Sequence, residues 1–86
     1  RKERAVFQLR RSTKRYFMGF GFNYFNYKYL ELDTCRQTGF VYNLYSPIKN
    51  GDFRYRRDET TRIRTLIPGM EFKYDDCTSF ISHIID

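Results

Sequence analysis

Two groups of residues in this chain could do chemistry by their type and spacing. The first is a set of arginines: Arg54 and Arg56, then Arg62 and Arg64. In an extended chain, residues two apart point to the same side. If those two stretches are paired strands, four guanidinium groups share one outer face. A guanidinium fork suits two-point contact with phosphate or carboxylate. An ordinary solvated surface, balanced by Asp58 and Glu59, is the other reading of the same pattern. The second group is a basic leader followed by rings. Residues 1–16 carry seven Lys/Arg against Glu3. Within it Arg10, Arg11, Lys14 and Arg15 are the candidates for phosphate contact. Next comes Tyr16 to Tyr29, rich in Phe and Tyr and interrupted by Gly19 and Gly21. Tyr24, Tyr27 and Tyr29 are the rings expected to stack on planar groups, because a phenol tolerates water better than a phenyl ring. The same rings also suit the core of a small protein without Trp.

Catalysis finds little support. His83 is the one histidine, with no placed Ser or Cys partner to activate. Cys35 and His83 could form a thiol–imidazole pair only if folding brought them together. Two cysteines and one histidine lack the paired spacing of a metal site. Gly19-Phe20-Gly21 has no Lys-Ser/Thr after it and is not a phosphate loop. The expectation is therefore no enzyme, no catalytic residue, no metal and no cofactor.

Charge bounds the partner. The net charge is +6, concentrated in the leader, while residues 68–86 are acidic overall. An excess of fixed positive charge favours nucleic acid or an acidic protein surface as partner. No run of apolar residues is long enough for a transmembrane helix, and no signal peptide is visible. A chain that begins at Arg1 fits a processed or excised product. Cys35 and Cys77 admit one intramolecular bridge, worth about 4 kcal/mol by loop closure. Two buried, reduced thiols are the alternative. A bridge would imply secretion, and its absence an intracellular setting.

Positioning these residues requires elements, and period-2 alternation suggests strands. It runs through 5–10, 16–23, 27–32, Phe40–Leu44, Phe53–Arg56, Arg62–Ile67 and Met70–Tyr74. Turn signals separate them: 33–39, Pro47 with Asn50-Gly51, and Pro68-Gly69. The last segment is ambiguous. Phe80, Ile81, Ile84 and Ile85 mark a helical face that Asp76 or Thr78 could cap, but an edge strand or single turn is favoured. The expected fold class is all-β: a small meander-based sandwich or barrel. Residues 1–15 form a basic arm or the first strand, and 16–86 a single β domain.

Two resemblances bear on this. Arg11-Ser-Thr-Lys-Arg15 resembles the Arg-x-x-x-Arg element of PilZ β-barrels, which bind cyclic diguanylate. The second element departs from that pattern: Asp33 to Gly39 has Cys35 in place of Ser, and its Gly is one position late. From Cys35 to Asp86 the chain resembles, in cysteine spacing and strand order, the MAX effectors of plant-pathogenic fungi. That resemblance implies a bridged two-sheet sandwich, secreted as a virulence protein and binding a host protein by strand addition. The leading expectation remains a non-catalytic β module for an anionic partner, nucleic acid first. The alternatives are a secreted, disulfide-stapled interaction module and a small subunit of a large assembly.

Overall fold

A computed structural model describes residues 1–49 and 51–85. It overturns the all-β expectation. The elements are helix α1 (Lys2–Arg11), strand β1 (Arg15–Met18), helix α2 (Tyr24–Tyr29), a 3₁₀ turn (Leu32–Thr34), strand β2 (Phe40–Asn43), helix α3 (Phe53–Leu66), strand β3 (Glu71–Lys73) and helix α4 (Cys77–Ile85). All three strands are parallel, in the order β1-β2-β3. Phe17 lies beside Tyr42, and Tyr42 beside Phe72. Parallel neighbours need a crossover between them, and α2 and α3 supply it.

β2 and β3 fall inside stretches whose alternation predicts strands, and β1 overlaps the start of a third, 16–23, but begins one residue earlier and ends at Met18. Four other such stretches are helical, and each has a local reason. Residues 2–11 are mostly strong helix formers, with Glu3 in the first turn and Arg10 and Arg11 in the last, which suits the helix dipole. Asn23 caps α2 by accepting the Asn26 amide at 2.8 Å. Asp52 caps α3 by accepting the Tyr55 amide at 3.1 Å. The apparent strands 53–56 and 62–67 are thus one helix. Its inward residues Ile63, Leu66 and Ile67 are three and four apart. The hairpin expected at Asn50-Gly51 has no second strand to join, because β2 is followed by α3; Gly51 precedes the cap Asp52, and Asn50 lies outside the described residues. At the C-terminus the helical alternative holds, with Asp76 accepting the Ser79 amide at 2.8 Å.

One sheet face carries the main core. Phe17, Phe22, Leu32, Cys35, Phe40, Ile63, Ile67 and Met70 are buried together. Rings dominate it, with Phe17 edge-on to Phe22 at 5.0 Å and Phe22 edge-on to Tyr42 at 5.0 Å. The opposite face, which includes Tyr16, Val41 and Asn43, meets α4 through Phe80, whose ring lies 6.2 Å from that of Tyr16. No helix among the described residues is long and apolar enough to cross a membrane.

Residues 1–15 are therefore not a loose arm. Arg15 opens β1 and is only 2% exposed. Its guanidinium donates to the Leu9 carbonyl at 2.6 Å, to the Thr38 carbonyl at 2.8 Å and to the Arg36 carbonyl at 3.1 Å. It also lies 4.7 Å over the Phe40 ring. The Leu9 carbonyl belongs to the last turn of α1, where the helix leaves acceptors unpaired and the dipole favours a cation. Beside it, Gly39 adopts φ +82°, and a Cβ there would stand 1.9 Å from the Thr13 carbonyl oxygen.

Arg15→Ala is expected to lower unfolding free energy by about 3 kcal/mol, since three charge-assisted bonds from a buried guanidinium to backbone carbonyls are lost. Gly39→Ala should cost more than about 1 kcal/mol through backbone strain alone. Urea denaturation followed by circular dichroism measures both. A loss below half of either value would contradict the junction described here.

Candidate nucleic-acid interface

The outward face of α1 is an open basic surface. At about 100° per residue, Arg4, Phe7 and Arg11 fall on one stripe spanning about 10 Å. All three are exposed. The Arg11 guanidinium lies 5.3 Å from the Phe7 ring centroid. Neither Arg4 nor Arg11 has an ion-pair partner among the described residues. Lys14, just past the helix, is also exposed and unpaired there. The inward side of α1 is anchored by Val6 and Leu9 and by Arg10. Arg10 donates to Glu31 at 2.6 Å and to Thr34 Oγ1 at 2.9 Å.

Of the four leader candidates, two thus remain available and two do not. Arg11 and Lys14 face solvent. Arg10 is held by Glu31, and Arg15 is buried against carbonyls. Glu31 holds this corner in a left-handed backbone conformation, φ 54°, and also lies 3.9 Å from Lys2.

Rings from α2 border the same corner. Phe25 and Tyr29, one turn apart, are 72% and 50% exposed. Their rings are nearly parallel, 16° apart in plane, with centroids 6.0 Å apart. The Lys2 ammonium sits 4.9 Å over the Tyr29 ring, so α1 and α2 meet here. Tyr24 is also exposed, its ring 6.1 Å from that of Tyr27. Tyr27 differs from its neighbours: it packs on the core, and burial, then Asp33, pushes its phenol pKa up. Among the three tyrosine candidates, Tyr24 and Tyr29 offer open faces and Tyr27 is mainly structural.

The arginines of α3 do not share a face. Residues two positions apart on a helix are about 200° apart around its axis, so each alternating pair is split between opposite sides. Arg54 is exposed on the outer side. Arg56 turns inward and lies 4.4 Å over the Tyr74 ring. Arg62 pairs with Glu59 at 2.8 Å and donates to the Phe22 carbonyl, fastening α3 to the segment after β1. Arg64, on the other flank, lies 4.9 Å over Phe72 and donates to the Met70 carbonyl at 3.3 Å. Three of the four tie α3 to its surroundings. The proposed patch depended on strand periodicity and dissolves with it.

The expected disulfide is absent: both cysteines are free, Cys35 buried and Cys77 exposed. Cys35 packs with Phe17 and Phe40 on the main core face. The Cys77 sulfur lies 3.9 Å from Asn43 Oδ1, and Asn43 alternates to the opposite face. The sheet itself keeps the thiols apart. The bridged sandwich that the effector resemblance implies is therefore not the architecture of this chain, nor is a PilZ barrel. His83 pairs with Asp75 at 2.8 Å rather than with Cys35. Among the described residues there is no pocket and no cluster of metal ligands.

Sequence reasoning missed Arg4, Phe7, Phe25 and Lys2. The signal was present in the 4-7-11 spacing and in the 25-29 spacing, both helical. Comparison with protein families, curated proteins and solved structures finds no match for the chain.

Two measurements check this geometry. One thiol should react with a disulfide reagent in the native protein and two in denaturant, since Cys35 is buried and burial raises its thiol pKa. Two fast native thiols, or none, would contradict it. Tyr42 donates to the Phe20 carbonyl at 2.9 Å, and burial pushes its phenol pKa up. A phenol with a raised folded pKa adds stability that is complete below the unfolded value, about 10. That stability is lost as pH rises through the folded value. Tyr42→Phe should flatten the alkaline fall in stability, measured by urea midpoints between pH 9 and 11.

Proposed function

We propose that the protein is a non-catalytic binding module for nucleic acid, with single strands as the preferred form. The observation that carries this reading is the exposed Phe25–Tyr29 pair with Lys2 over one ring, beside a helix whose outward Arg4 and Arg11 have no acidic partner among the described residues. Exposed rings accept unpaired bases by stacking, at about 1–3 kcal/mol per base. Arg4, Arg11 and Lys14 supply phosphate contacts, and the net charge of +6 draws a polyanion to the surface. A duplex buries its base faces, so rings of this kind are of less use to it. Tyr24 and Arg54 are open and could extend the contact.

The test is fluorescence anisotropy of a labelled single-stranded oligonucleotide across a salt series. Arg4→Gln with Arg11→Gln should reduce the slope of log K against log salt by about 0.7 per residue. Phe25→Ala with Tyr29→Ala should weaken binding at least tenfold and leave the slope unchanged. Arg62→Gln, which alters a pinned arginine, should change neither by much. Equal affinity for heparin, which has no bases, would move the reading to an acidic surface. No binding at low salt would end it.

A further inference from the structure

The second face of the sheet is covered by a single helix. Parallel sheets are normally buried on both faces. Here α4 seats Phe80 against Tyr16, yet Tyr16 and Met18 on β1 remain more than a third exposed. On the flank of α4 beside Phe80, Ile81, Ile84 and Ile85 are also exposed, spaced three and four apart. Together with Tyr16 and Met18 they leave apolar area open on this side of the sheet.

Charge indicates what fits there. In a chain with 30% charged residues, Cys77–Ile85 contains no Asp, Glu, Lys or Arg. Two copies carrying +6 each repel one another over most of their surface. The charged groups that share this face are already paired with each other, Lys73 with Glu71 at 3.2 Å and His83 with Asp75 at 2.8 Å, so two copies can approach here without adding an unpaired charge. The five side chains leave about 500 Å² open, so two copies face to face would cover about 1,000 Å², the lower bound for a specific interface.

We infer that α4 and the outer side of β1 form a two-fold self-association surface. The Ile81, Ile84 and Ile85 stripe of one copy packs on Tyr16, Met18 and α4 of the other. Such a contact uses the same patch twice and closes on itself. It lies on the opposite sheet face from α2 and α3, so it does not depend on the nucleic-acid reading.

Sedimentation equilibrium between about 5 and 200 µM tests it. The expected result is a monomer–dimer equilibrium that tightens with added salt, the opposite of nucleic-acid binding. Ile84→Glu should shift the midpoint at least tenfold toward monomer. Ile81→Ser, a milder change at another exposed site, should shift it in the same direction, with the far-ultraviolet circular dichroism of the parent. Phe25→Ala should leave the dimer intact. A monomer at every concentration would overturn the proposal and assign the face to a different protein. Open-ended aggregation, or variants that dimerise as well as the parent, would overturn it too.

Discussion

The Arg15 guanidinium is the joint on which the molecule turns. It sits where the last turn of α1, the start of β1 and the loop leading to β2 converge, and it bonds to a carbonyl of each flanking segment. A buried cation with no carboxylate partner is costly. Here carbonyl dipoles, a helix C-terminus and the face of Phe40 offset that cost. With Arg15 in place, α1 has a fixed roll. Val6 and Leu9 go inward, and Arg4, Phe7 and Arg11 go outward. The basic character of the surface is thus set by a basic residue that never reaches it.

The same economy recurs around the molecule. Arginines here act more as fasteners than as bait. Arg10 secures α1 to Glu31, while Arg62 and Arg64 hold α3 on its two flanks and Arg56 lies on Tyr74. A long stem and five donors allow one side chain to reach a carbonyl or a ring across an inter-element gap. In a chain with few aliphatic residues, these contacts substitute for some of the packing that Leu and Ile would supply. The cations left over include Arg4 and Arg11 on α1, Lys14 just beyond it, and Arg54 on the outer side of α3.

Parts of this were legible beforehand. Alternation located the three strands, because β1, β2 and β3 carry bulky residues facing a ring-lined core. Alternation misled over 5–10, 27–32, 53–56 and 62–67. A run such as Ile63, Thr65, Ile67 fits a strand, yet Ile63, Leu66 and Ile67 fit a helix equally well. Short windows cannot separate these two periods when apolar residues are dense. The caps Asn23 and Asp52, and the helix formers of 2–11, were the better guides. For the site, Arg11, Lys14, Tyr24 and Tyr29 were legible as open candidates. Arg15, Arg56 and Tyr27 were not recognisable as interior residues, since nothing local marks a guanidinium or phenol for burial.

By itself the sequence determined a strongly basic, ring-rich chain whose net positive charge lies in the first half and whose segment 77–85 has no Asp, Glu, Lys or Arg. Those are sums over residue types and need no geometry. Tertiary structure decided which cations stay available, which thiols can meet and which rings face water. Each of these depends on the side of an element that a residue occupies. That side follows from whether the local period is 2 or 3.6, and packing across the parallel sheet selects between them.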